Sequence, residues 1–167
     1  MDHGGGRSVA GGVLNEAGRD RLEEAYRSFG AELWRGVYGY SGGRRDVADE
    51  AVAEAFAQAG RRVDAIRELR PWLFRAAFRI AAGELKASRR PGGDAVSEAA
   101  ASSDGTGELM ELTRRLSNAQ RRAFVLRDVL GFPTREAAEL ARSSEIAIRV
   151  HLHAARRRLR ELLQEEP

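Results

Sequence analysis

Thr134–Leu163 reads TREAAELARSSEIAIRVHLHAARRRLRELL, and its spacing decides the fold. Thr134 can cap a short helix from Arg135 to about Ala141, and Ser144 can cap a longer one, because a hydroxyl accepts a hydrogen bond from an otherwise orphaned amide. In the second segment Ile148, Leu152, Ala155, Leu159 and Leu162 recur at steps of 4, 3, 4 and 3, the stripe a helix buries along one face. A short helix, a tight break and a longer helix with a basic outer face form a helix-turn-helix. Such units want a small residue in the first helix, a turn-tolerant residue four positions on, and a branched apolar residue six beyond that. Ala138, Arg142 and Ile148 hold those slots. Arg142 stands where glycine is easiest, and a left-handed backbone there costs a non-glycine residue on the order of 1 kcal/mol. An ordinary helical hairpin is the competing reading of the same spacing.

The last helix turns Glu145, Arg149, His153, Arg156, Arg157 and Arg160 outward, beside a turn that carries Arg135 and Arg142. Five actual or potential cations against one acid on that face favour DNA over a merely solvated surface. Side chains near such a helix start reach base edges, and arginines farther along meet phosphates.

Helical spacing continues upstream. Leu22, Ala25, Tyr26, Phe29, Leu33 and Val37 form one stripe, with a stop near Gly39 to Gly43. A helix from about Asp46 sets Val52, Ala55, Phe56 and Ala59 inward and Asp49, Glu50 and Glu54 outward, and Gly60 is its stop. Pro71 fits the first turn of a third helix through Trp72, Phe74, Phe78 and Leu85 to about Arg89, where a missing N–H costs nothing. Ser117 followed by Gln120 fits a capping box that opens a helix toward Gly131. No alternating strand pattern occurs, so the expected fold is all-α.

Composition divides the chain. Residues 1–12 hold five glycines and no apolar anchor, which reads as a tail without regular structure. Residues 1–90 carry 16 basic and 13 acidic groups, residues 91–111 carry none and five, and residues 112–167 carry 12 and seven. Two basic blocks thus flank an acidic joint. The stretch RRPGGDAVSEAAASSDGTGE, Arg89 to Glu108, has the make-up of a flexible linker, with a reach of roughly 25 Å. The expected division is a tail (1–12), a helical domain (13–90), an acidic linker (91–108) and a helix-turn-helix domain (109–167).

Several function classes drop out. The 167 residues contain no cysteine, which excludes disulfide frameworks and thiolate metal sites. No apolar run reaches the roughly 18 to 20 residues that span a bilayer. His151 and His153 sit two apart on a helix and diverge by about 160°, unsuited to one metal. No nucleophile–base pair or phosphate-cradling glycine loop stands out, so the chain reads as a non-enzyme without cofactor or metal.

FVLRDVLGFPTREAAELARSSEIAIRVHLHAARRRLRELL, from Phe124, resembles the region-four domain of the extracytoplasmic-function sigma factors of bacterial RNA polymerase. DVADEAVAEAF (Asp46 to Phe56) looks like that family's acidic polymerase-binding helix, and RPWLFRAAFRIAAGELKASRR (Arg70 to Arg90) like its promoter-melting helix. The resemblance implies a cytoplasmic sigma factor that binds core RNA polymerase and promoter DNA, with an anti-sigma protein as a further partner. By the same resemblance Asp49, Glu50 and Glu54 meet the polymerase. Arg61, Arg62, Trp72, Arg75, Arg79 and Lys86 serve the minus-ten element, Trp72 being equally readable as a core anchor. Ser144, Glu145, Ala147, Arg149 and His153 face the minus-thirty-five element, with Arg135, Arg142, Arg156 and Arg157 on phosphates. Ile146, Ala147 and Val150 replace the commoner Gly, Thr and Ser, and His151 stands where Arg is frequent, so fewer hydrogen-bonding groups face the groove. Those departures keep two alternatives open: a sigma-like polymerase-binding co-regulator that does not initiate, and a free helix-turn-helix regulator.

Overall fold

Asn15 opens the first helix by accepting the Gly18 amide at 2.6 Å, while its own side-chain amide donates to Asp64 at 3.2 Å. Helix α1 then runs Glu16–Tyr40, α2 Arg45–Gly60, a 3-10 turn Val63–Ala65, and α3 Leu69–Ala87. The computed structural model describes residues 14–88 and 106–165; the expected tail and most of the expected linker lie outside them. In α2 the inward residues Ala48, Ala51, Ala55 and Ala59 are fully buried. A stripe without long side chains lets α1 and α3 close on α2, and Leu33, Val37, Leu73 and Phe78 fill the space at zero exposure. Arg21 holds the 3-10 turn by donating to the carbonyls of Val63 (3.0 Å) and Ile66 (2.9 Å). Pro71 sits in the first turn of α3, as its lack of an N–H requires.

The second half comprises α4 (Thr106–Arg114), α5 (Asn118–Phe124), a π-helical turn (Val125–Val129), α6 (Thr134–Ala141) and α7 (Glu145–Glu165). No strand occurs among the described residues, and the all-α reading is borne out. The capping box forms: Ser117 Oγ accepts the Gln120 amide and Gln120 Oε1 accepts the Ser117 amide, both at 3.3 Å. Its helix reaches the expected end, but the last turn widens. The Leu130 amide donates to the Val125 carbonyl (3.0 Å) and the Phe132 amide to that of Leu126 (2.9 Å), around Gly131 at φ +73°. Ser144 caps α7 by accepting the Ala147 amide at 3.1 Å. Thr134 is instead the first residue of α6, and the Pro133 carbonyl accepts the Ala137 amide at 2.9 Å.

The halves flanking the expected linker pack against each other. Phe132 lies 6.1 Å from Phe74 and 6.0 Å from Phe78 between ring centroids, and Phe78 meets Tyr40 edge-on at 5.1 Å. A Cβ on Gly36 would stand 3.0 Å from a Leu130 methyl, so the missing side chain of Gly36 is what lets the π turn seat on α1. Val125, Leu126, Ala137, Ala138 and Ile148 thereby join the core of the first half. A smaller cluster of Leu112, Leu116, Ala155, Leu159 and Leu162 belongs to the second half alone.

Leu126 is fully buried in the shared core, whereas both tryptophans, Trp34 and Trp72, lie in the first half. Leu126→Ala should cost about 2–5 kcal/mol. Urea unfolding followed by tryptophan fluorescence should therefore shift to lower denaturant; an unmoved tryptophan transition would mean that the halves unfold independently.

Candidate nucleic-acid interface

The α6–α7 unit is built around one strained residue. Arg142 adopts φ 51°, ψ 51°, a left-handed geometry in the slot where glycine is easiest. Its amide donates to Glu139 (3.2 Å) and the Ser143 amide to Ala138 (2.9 Å), which terminates α6 and redirects the chain into α7. Ala138 and Ile148 are buried on either side, as the motif requires. On α7 the residues Glu145, Arg149, His153, Arg156, Arg157 and Arg160 are all exposed. They are not equivalent. Arg149 donates to Glu145 one turn earlier (3.1 Å), and Arg156 grips Asp128 of the π turn through Nε (2.8 Å) and Nη2 (2.6 Å). That bidentate pair raises the Arg156 pKa above its ordinary value. Arg135 faces Glu139 at 3.5 Å, and Arg157 reaches Glu161 only at 4.0 Å. Ala147 is half-buried at the flank, whereas Ile146 and Val150 stand 73% and 60% exposed.

In the first half, Arg62, Arg67, Pro71, Trp72 and Arg75 line a cavity of about 550 Å³ together with Ala65, Ile66 and Glu68. Trp72 is half-buried: it packs on the core, as a core anchor does, and also lines this cavity. Arg61 turns away to Glu54 at 3.1 Å. Gln58 and then Arg61 hold the Glu54 carboxyl below its ordinary range. Arg75 also borders a second cavity of about 180 Å³ with Arg79, Glu136, Glu139, Leu140 and Arg142, and its Nε donates to Glu136 at 2.5 Å. Lys86 lies exposed in the last turn of α3.

The three α2 acids expected to meet the polymerase, Asp49, Glu50 and Glu54, also differ in their surroundings. Asp49 accepts the Trp34 indole N–H at 2.7 Å at the edge of an apolar groove between α1 and α2. That groove, about 540 Å³, is lined by Leu22, Glu23, Tyr26, Arg27, Trp34, Asp49, Val52, Ala53 and Phe56. Tyr26 is 63% exposed there, edge-on to Phe56 at 5.5 Å. Glu50 is exposed and Glu54 half-exposed beside Arg61. The groove escaped sequence reading because Tyr26 and Phe56 fit a buried stripe equally well.

A cluster of arginines was also missed. Arg121 is buried, and a Cβ on Gly42 (φ +76°) would stand 2.6 Å from its guanidinium. Arg114 lies as close to Gly43, and Arg122 stacks over Tyr40 at 5.2 Å. All three come from α4 and α5 and surround the C-terminal end of α1, whose own last turn carries no cation. The negative end of that helix dipole is thus met in trans. Burial, then repulsion from Arg122 and Arg114, pushes the Arg121 pKa down to about 10, and the group stays charged at neutral pH. A signal existed in the pairing of Gly42–Gly43 with an arginine pair, but local sequence cannot say which turn an arginine will meet.

Residues 106–159 match the family model for Sigma-70, region 4. The second half is therefore a helix-turn-helix domain of that type. Over 89% of its length the chain also takes the fold of two solved proteins. One is the sigma factor RpoE from Bartonella quintana, in complex with the anti-sigma factor NepR: 21% identity, 99% of that chain covered, TM-score 0.68. The other is CnrH in complex with the cytosolic domain of CnrY: 20% identity, 91% covered, TM-score 0.62. No curated protein sequence is matched. The resemblance to extracytoplasmic-function sigma factors stands on these matches, through the family model in the second half and through the fold across both. No helix among the described residues is long and apolar enough to cross a membrane.

Replacing Arg142 by Gly removes the left-handed penalty and leaves the turn's hydrogen bonds in place. Arg142→Gly should stabilise the fold by about 1 kcal/mol and raise Tm by about 2–4 °C; a lower Tm would mean that the side chain holds the turn.

Proposed function

We propose that this chain is a sigma factor: it binds core RNA polymerase and directs it to promoters through two DNA-contacting modules. The observation that carries the reading is a sigma-70 region 4 match in a chain whose whole fold follows that of sigma factors. In this reading α6 and α7 bind the upstream promoter element. His153 approaches bases, and Arg135, Arg142 and Arg157 meet phosphates. The cavity of Arg62, Arg67, Trp72 and Arg75 is large enough for an unstacked base, with an indole to stack on and cations to face the backbone. The groove between α1 and α2, rimmed by Asp49 beside exposed Glu50, receives a basic amphipathic helix of the polymerase. An anti-sigma protein is a further proposed partner.

The packed arrangement bears on how the chain would work. Arg75 belongs to the base-sized cavity and also to the Glu136 pair, so a phosphate on Arg75 competes with an internal carboxylate. Engagement of single-stranded DNA should accordingly loosen α6 from α3.

The function is tested by run-off transcription with purified core polymerase on selected promoter fragments. Specific transcripts from this chain with core alone are expected. Core binding without transcripts would favour the co-regulator reading. Absence of both core binding and transcripts would overturn the assignment. The double substitution Asp49→Ala, Glu50→Ala should lower core affinity about tenfold while leaving the urea midpoint nearly unchanged, as read by competition with a labelled chain. Glu136→Gln should tighten binding of a short single-stranded oligonucleotide by up to about fivefold, measured by fluorescence anisotropy.

A further inference from the structure

Each α-helical residue advances by about 100°. On that wheel Ile148, Leu152, Ala155, Leu159 and Leu162, the buried residues of α7, occupy one arc. Directly opposite, within about 60° of one another, stand Ile146, Val150, His153 and Arg157. The centre of the outward face is therefore apolar over the first two turns and cationic beyond them. Glu145 and Arg149, which sequence reading set at the reading end, lie to one side and are bonded to each other at 3.1 Å. Ala147 lies to the other side and is half-buried.

Ile146 and Val150 are two of the few large apolar side chains exposed in the described structure. They contribute nothing to the core. At the start of a recognition helix they occupy the positions that approach base edges. The major groove offers such side chains one apolar group, the 5-methyl of thymine; every other base edge there presents donors and acceptors that an aliphatic side chain would leave unpaired. The same stripe continues into Arg157, with Arg135 exposed in the first turn of α6 and Arg142 at the turn before α7, a charge pattern suited to phosphates on both sides of a groove.

We infer that Ile146 and Val150 determine specificity by packing on thymine methyl groups in the upstream promoter element. The inference rests on the reading of α6–α7 as the promoter-binding unit, and commits it to a hydrophobic mode of base selection. Arg149 then acts chiefly through Glu145, which holds it beside the helix start rather than across a guanine edge. Discrimination is modest at each position, because one buried methyl contributes about a fourfold difference in affinity.

The test uses holoenzyme formed from the full chain and core polymerase. Duplexes selected from a random library are footprinted, and each thymine in the upstream contact is replaced by deoxyuridine, which removes only the methyl. At one or more thymines, wild-type holoenzyme should lose about fourfold in affinity. Ile146→Ala and Val150→Ala should each abolish the penalty at one such thymine and leave the others, a non-additive pairing that identifies the contact. Arg157→Ala should weaken binding to thymine and deoxyuridine duplexes alike. Both aliphatic positions are exposed, so folding is checked by circular dichroism, and Ile146→Val supplies a milder variant expected to keep part of the penalty. Selected sites without upstream thymine, no penalty anywhere, or a penalty undiminished in both variants would overturn the inference while promoter recognition stands. Loss of core affinity in Ile146→Ala and Val150→Ala without DNA would make the stripe a protein contact and overturn it too. Failure of the holoenzyme to select any DNA would remove the promoter reading and this inference with it.

Discussion

Phe132 sits between Phe74 and Phe78, one aromatic ring from the second half wedged against two on α3 of the first. The Arg75–Glu136 ion pair joins the same two halves. Phe132 is delivered by the π turn, whose wider hydrogen-bonded loop over Gly131 points the ring back toward α1 and α3. With the ring seated, Leu130 lies on Gly36, Tyr40 Oη donates to the Leu140 carbonyl at 3.4 Å, and Glu136 comes within reach of Arg75. A π turn at this position is a local irregularity with a long-range result, since π-helical insertions gather where a helix must present a side chain off its regular register.

Local chemistry was legible in the sequence and partnership was not. The capping box at Ser117 and the cap at Ser144 each follow from residues a few positions apart, and each appears, whereas the expected cap at Thr134 does not, since Thr134 is itself the first helical residue. The stripes of α1, α2 and α7 are equally local. Phe132 had no such signature: beside Pro133 and after Gly131 it resembled a loop residue. Its partners are more than 50 positions upstream, and nothing in a periodic pattern encodes which helix a loop aromatic will meet. Candidate site residues fared likewise. Arg149 and Arg156 fall on an exposed face, as expected, but only the folded chain sets them against Glu145 and Asp128, and Arg75 against Glu136.

The abundance of arginine acquires a physical sense from these pairings. Arg156 on Asp128 and Arg70 on Glu32 are two-pronged contacts that lysine could not reproduce. Arg70 also lies 5.5 Å over Phe29 and 4.9 Å over Phe74, adding a planar stacking contact to its charge. Its hydrogen bonds hold the Glu32 carboxyl below the ordinary range. Exposed pairs of this kind are each worth less than about 1 kcal/mol. Their larger effect is positional: a forked guanidinium fixes the angle between two elements where an ammonium would swing.

Pairing also sorts the cations by what remains for a ligand. An arginine already held two-pronged by a carboxylate must surrender that contact before it meets a phosphate, so in the proposed function Arg156 would contribute less to DNA affinity than its exposure implies. Arg62, Arg79 and Arg142 carry no carboxylate at salt-bridge distance among the described residues, and Arg157 only a distant one. These four lie on α3, the loop before it, the turn of the helix-turn-helix and the middle of α7. Arg79 and Arg142 share one cavity across the two halves, so two cations that would each meet DNA are held close together while α6 rests on α3. Glu136 and Glu139 in that same cavity offset the repulsion. Packing of the halves is thus sustained by apolar contact and by acids that stand where nucleic-acid phosphates would, and polyanion binding acts against both charge terms at once. Under the proposed function, a chain assembled this way would meet DNA as a competitor for its own internal contacts, with the aromatic wedge setting how much of that competition is needed before the halves part.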